Sequence, residues 1–109
     1  MNAPSNLEIA FDERMRQIYD QAKNECGYTA TRFLQMVNAD GGLNAAKKLL
    51  ATSAYSEGLT RLWEEKRLDI SLEATVLQKP WSELFTEQEL STALKKLKEL
   101  GWFDERASK

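Results

Sequence analysis

Residues 27–63 read GYTATRFLQMVNADGGLNAAKKLLATSAYSEGLTRLW, three short amphipathic runs arranged around a glycine pair. Ala30, Phe33, Leu34 and Val37 follow the i, i+3, i+4, i+7 spacing of one helix face, and the Thr29 hydroxyl stands where it would cap that helix. Asn38, Asp40, Gly41 and Gly42 end it, because Asn and Gly tolerate the left-handed backbone of a tight reversal. A second run, from about Leu43 to Ala51, turns Leu43, Ala46, Leu49 and Leu50 inward and leaves Asn44, Lys47 and Lys48 outward. After the connector SAYSEG, Ser56 caps a third run in which Leu59, Leu62 and Trp63 are predicted to face the core.

The flanking sequence continues in the same period. Leu7, Phe11, Met15, Ile18, Ala22 and Cys26 recur at steps of three or four, which predicts a long first helix capped by Ser5 or Asn6 and stopped by Gly27. Beyond Trp63, Arg67, Leu68 and Asp69 form a corner, and Ser71 caps a short helix carrying Leu72, Val76 and Leu77. Pro80 ends that helix and opens a single turn that inserts Trp81, Leu84 and Phe85. Thr86 and Glu89 have the spacing of a capping box, and Leu90, Ala93, Leu94, Leu97 and Leu100 form the stripe of the last helix. Gly101 ends it, and Trp102 and Phe103 fold back on its last turn.

No run shows the period-two alternation of a strand, so the chain is predicted to be all-α, an orthogonal bundle of about five to six short helices. One domain over residues 7–103 is expected, between flexible tails at 1–6 and 104–109. A chain of 109 residues has the size of one domain and should bury roughly 60 to 70% of its unfolded surface. Its 42% hydrophobic and 29% charged content supplies enough apolar surface to offset the entropy of ordering.

The same composition removes several kinds of chemistry. There is no histidine and one cysteine, Cys26, so His general bases, intramolecular disulfides and zinc sites built on His or several Cys are excluded. Cys26 reads as a small packed side chain. A net charge of -2 argues against nucleic-acid binding driven by overall charge. There is no basic leader with an apolar run, no membrane-length apolar segment, and neither a phosphate loop nor a GxSxG elbow. A cytoplasmic protein with no cofactor, no metal and no membrane partner is expected.

Four groups of residues remain as candidates. Two helices around a glycine turn have the layout of a helix-turn-helix over residues 29–51. Arg32, Lys47 and Lys48 there face a single anion, Asp40, so Arg32, Asn44, Lys47 and Lys48 are the candidate nucleic-acid contacts. Trp81, Phe85 and Trp102 are the candidate protein-interaction patch, since aromatic side chains give large contact area at low entropic cost. Asp69 and Glu73, with Glu64 and Glu65 before them, form a possible carboxylate cluster, but read better as a corner residue and a helix-start residue. Lys95, Lys96 and Lys98 read as a solvated helix end.

Three stretches, YTATRFLQMVNADGGLNAAKKLL at 28–50, GLTRLWEEKRLDISLEATVL at 58–77 and LFTEQEL at 84–90, resemble an uncharacterised small bacterial all-helical domain family with no established activity. The likeness covers about two thirds of the chain. It implies a compact helical module, sometimes joined to larger proteins, and brings no catalytic residue. The combined reading is a non-enzymatic helical interaction module that binds another protein. The alternative is a nucleic-acid-associated regulator using the helix-turn-helix-like segment.

Overall fold

The structure, a computed structural model, describes residues 5–102. Six α-helices follow one another: α1 Asn6–Cys26, α2 Thr31–Asp40, α3 Gly42–Leu50, α4 Glu57–Glu64, α5 Leu72–Val76 and α6 Glu87–Glu99. Two 3₁₀ turns, Leu68–Ile70 and Trp81–Leu84, flank α5. Among the described residues there is no strand, and the chain forms the all-helical bundle that its periodicity predicts. Most of the predicted tails, and Phe103, lie outside the described residues.

Local chemistry accounts for most helix ends. The Ser5 hydroxyl accepts from the Glu8 amide, Ser56 from Leu59 and Ser71 from Ala74. Thr86 and Glu89 form a complete capping box, each side chain satisfying an amide that the first turn leaves free. Gly27 stops α1 in the left-handed conformation with φ of 67°, where a side chain would cost energy. The predicted Thr29 cap does not form: α2 begins at Thr31, and its preceding residue, Ala30, has no side chain able to accept.

The glycine pair is held from a distance. Gly41 alone separates α2 from α3, with φ of 84°. The Gly42 amide donates to Asp12 Oδ1 on α1 at 2.7 Å. A Cβ on Gly42 would stand 2.7 Å from the Asp12 backbone Cα, so the crossing of α1 and α3 requires glycine there. Asp12 also accepts from Arg16 at 3.0 Å, and Arg16 donates to Asn38 at 2.7 Å. One carboxylate of α1 thus replaces the local cap that α3 lacks.

Two apolar clusters share the interior. Phe11, Met15 and Ile18 of α1 meet Val37, Ala45, Ala46, Leu50, Val76, Phe85 and Ala93 in the first. Ala22, Leu59, Leu62, Leu68, Ile70, Ala74 and Leu97 make the second. α5 lies between them, contributing Leu72 and Val76 to one and Ala74 to the other. Every residue of α5 is buried, which suits a helix that is surrounded rather than surface-mounted.

Three side chains differ from their predicted placement. Trp63 is 47% exposed, not a core residue, because its indole N–H donates to the Leu100 carbonyl at 3.1 Å and its ring lies at the end of α6. Glu73 is 2% exposed and Lys96 also 2%. Neither stays at a solvated helix end, because α5 is enclosed on all sides and Lys96 stands on the Ala93 and Leu97 face of α6.

Candidate functional site

A cleft of about 640 Å³ opens beside the second half of α1. Ile18, Tyr19 and Ala22 form one wall. The left-handed turn at Gly27 reverses the chain, so that Tyr28 to Phe33 and Met36 return as a second wall. Leu49, Tyr55, Leu59 and Leu62 line a third side, and the start of α5, Ser71 to Glu73, contributes to the interior side. This volume lies within the roughly 300–1,000 Å³ of ligand sites, and its lining mixes apolar side chains with about as many polar ones.

The protein has three tyrosines, and all of them line this cleft. Tyr28 donates to Glu57 Oε1 at 3.4 Å, and the Arg61 guanidinium sits 5.6 Å from its ring centroid. Burial, then the Glu57 carboxylate, pushes the Tyr28 phenol above its ordinary value. Tyr55, 40% exposed, donates to Glu99 Oε1 at 2.6 Å, and that bond raises its phenol too. Both phenols therefore keep their protons, with their hydroxyls directed to carboxylates.

Glu73 is the buried charged group of the lining. Its Oε2 lies 3.9 Å from Lys96 Nζ, beyond the length of a charge-assisted hydrogen bond. Lys96 donates instead to the Leu49 carbonyl at 3.1 Å. Burial pushes the Glu73 carboxyl above the usual range, opposed by its own backbone amide and by Lys96. The pair joins α5, α6 and the end of α3 behind the cleft.

The predicted nucleic-acid residues take separate directions. Lys47 reaches Glu89 on α6 at 2.8 Å and lies 5.2 Å from the Phe85 ring centroid. Lys48, 62% exposed, pairs with Asp40 at 2.7 Å, and the Asn44 amide donates to the Asp40 carbonyl at 3.1 Å. Arg32 stands at the opposite end of α2, on the cleft. The glycine turn therefore brings Asn44 and Lys48 together at Asp40, while Lys47 and Arg32 lie elsewhere.

The predicted aromatic patch is also divided. Trp81 and Phe85 pack on Phe11, at centroid distances of 5.6 and 5.4 Å, with Phe85 buried. Trp102 packs against the other cluster. Trp102 instead shares a shallow depression of about 210 Å³ with exposed Trp63, Lys66 and Leu100. Asp69 and Glu73 are separated as well: Asp69 is exposed and bound by Arg67 at 3.0 Å, and Arg67 also holds Glu25 at 2.7 Å.

Among the described residues no three His, Cys, Asp or Glu side chains gather as metal ligands. No helix among them is long and apolar enough to cross a membrane. Cys26 is half-buried and free, and burial pushes its thiol up, which lowers its reactivity.

The sequence reading missed the tyrosines and the Glu73–Lys96 pair as site residues. Two signals pointed toward the pair. In LEATV at 72–76 the apolar Leu72, Ala74 and Val76 fall on opposite sides of the helix, as in an enclosed helix. Lys96 lies three residues after Ala93 and four before Leu100, on the apolar stripe. The tyrosines belong to a helix, a turn and a connector, and no spacing rule unites them. No protein-family model, curated protein or solved structure matches the chain.

Proposed function

We propose that the protein is a non-enzymatic binding module that receives an apolar segment of a protein partner in the cleft beside α1. The supporting observation is the convergence of all three tyrosines on one cleft of about 640 Å³. Tyrosine is enriched at protein interfaces because it combines a large apolar face with a polar tip and few rotatable bonds. Phe33, Met36, Leu59 and Leu62 supply the apolar lining between them. The resemblance to a small bacterial domain family supports a bacterial setting, and a cytoplasmic one is proposed with it.

Selection from a phage-displayed library of short linear peptides tests this reading. Peptides enriched on the wild-type protein should lose at least about tenfold in affinity on the Tyr28→Ala and Tyr55→Ala proteins, since buried aromatic anchors are worth about 2 kcal/mol or more. Enriched peptides that bind both variants as well as wild type would overturn it.

The second reading, a nucleic-acid-associated regulator acting through Arg32, Asn44, Lys47 and Lys48, draws on exposed Lys48 and Arg32. It is the weaker proposal, because Glu89 and Asp40 already neutralise Lys47 and Lys48. Salt-sensitive binding to duplex DNA, abolished by Lys47→Glu with Lys48→Glu, would favour it instead.

A further inference from the structure

We propose that residues 51–66 form a flap over the cleft, an outer wall that leaves the body by local unfolding while α1, α2 and α3 stay in place. The motion rests on how α4 is held. Its use, to admit the partner segment, rests on the cleft being the binding site, as set out above.

α4 is the loosely held wall. α1, α2 and α3 pack on one another and α5 packs on α6, whereas the main neighbour of α4 is the 3₁₀ turn Leu68–Ile70. Its apolar attachment consists of two buried side chains, Leu59 and Leu62. A helix of eight residues does not persist in water without packing. Both flanks are irregular. Residues 51–55 before it are exposed and carry no helix. After it, Lys66 is held at φ of 60°, a left-handed backbone that a residue with a side chain adopts at a cost, and unfolding of the flap releases that cost. Segments with few buried apolar contacts open locally at a lower free energy than the core.

Polar bonds fasten the flap near its two ends. Tyr55 donates to Glu99 at 2.6 Å, and Trp63 Nε1 donates to the Leu100 carbonyl at 3.1 Å, so both clasps close on adjacent residues at the end of α6. Tyr55 and Trp63 are both exposed, so water competes for these bonds and each contributes modestly. Between them, Glu57 accepts from Tyr28 on the facing wall at 3.4 Å. Ser56, Glu57, Gly58, Leu59 and Leu62 belong to the flap and line the cleft, so its departure opens the cleft along that side.

Amide hydrogen exchange of the full chain, followed residue by residue by NMR, tests the flap. The amides of Thr60 and Glu65, bonded to the Ser56 and Arg61 carbonyls, should lose protection together and be at least about 100-fold less protected than those of Met15 and Ile18. Trp63→Phe removes an indole donor that lies outside the cleft lining and should lower flap protection about fivefold further. Gly58→Ala should raise it about threefold, because alanine favours the helix and its Cβ would meet the Tyr28 ring at an ordinary 3.8 Å. Equal protection in α4 and α1, or no response to either variant, would overturn the flap.

The gating role is read with a peptide enriched on the wild-type protein in the selection described above. Its association rate should rise about fivefold in Trp63→Phe, in step with the open population. An unchanged rate would overturn the gate. Failure of the selection to give any peptide that depends on Tyr28 would overturn the cleft reading, while the exchange pattern would still decide the flap.

Discussion

The two halves of α1 face opposite situations. Around Phe11 and Met15 the helix is met at close range: Gly42 brings the start of α3 against Asp12, and no Cβ fits between them. Around Tyr19 and Ala22 the same helix faces an open cleft of about 640 Å³. Close approach needs small residues and yields a rigid crossing. Where the neighbours are Tyr28, Tyr55 and the exposed connector at 51–55, the chain leaves room. Rigidity at one end therefore positions the walls of the cleft at the other.

The largest expected effect is at the open half. Lys96→Met should lower stability by about 3 kcal/mol in urea denaturation, because it leaves a carboxylate buried without a counter-charge. The double variant Glu73→Leu with Lys96→Met should return to within about 1 kcal/mol of wild type. If the single and double variants lose the same amount, the pair is not coupled. Next comes the closed half. Gly42→Ala should cost about 1–3 kcal/mol by overpacking, since the atom it strikes belongs to the α1 backbone. An unchanged urea midpoint would contradict the close crossing.

A smaller effect, dependent on pH, belongs to the link between α3 and α6. Burial alone would raise the Glu89 carboxyl, but the Lys47 ammonium and the Thr86 amide outweigh it and hold the carboxyl below its usual range. A depressed carboxylate stabilises the fold above its unfolded value of about 4.3 and loses that contribution as pH falls through its folded value. Glu89→Gln should therefore cost about 1 kcal/mol near neutrality and progressively less as the solution is acidified below that range. Glu73, whose carboxyl is raised by burial, has the opposite sign: its contribution is greatest in acid and is lost as pH rises through its folded value. A constant gap between wild type and Glu89→Gln from neutral to acid pH would remove the ionic part of the Glu89 role.

The smallest effect on stability should come from Tyr55→Ala. Tyr55 is exposed and its one hydrogen bond runs to exposed Glu99, so a change of less than about 0.5 kcal/mol is expected, against a clear loss of peptide binding. A large fall in melting temperature would instead make Tyr55 a structural residue.

Much of the fold was legible because its signals are local. Ser5, Ser56, Ser71 and the Thr86–Glu89 box mark helix starts by chemistry within three residues, and Gly27 marks a stop by its backbone freedom. The Gly41–Gly42 turn was legible as a turn, but the reason for its second glycine was not, since Asp12 lies thirty positions earlier in the chain. Spacing alone places Trp63 inward, yet its indole N–H donates to the Leu100 carbonyl at the surface. The cleft was the least legible part. Its tyrosines are united only by the path of the chain after Gly27, and the Glu73–Lys96 pair by the packing of α5 on α6.

The most direct measurement is chemical-shift mapping of the full chain with a peptide selected on it. Binding in the cleft should move amides at Tyr19, Tyr28, Phe33, Tyr55 and Leu59 and leave those around Gly42 and Lys48 in place. Shifts centred on Lys47 and Lys48, or on Trp63 and Trp102, with the cleft unchanged, would contradict the assignment of the binding site.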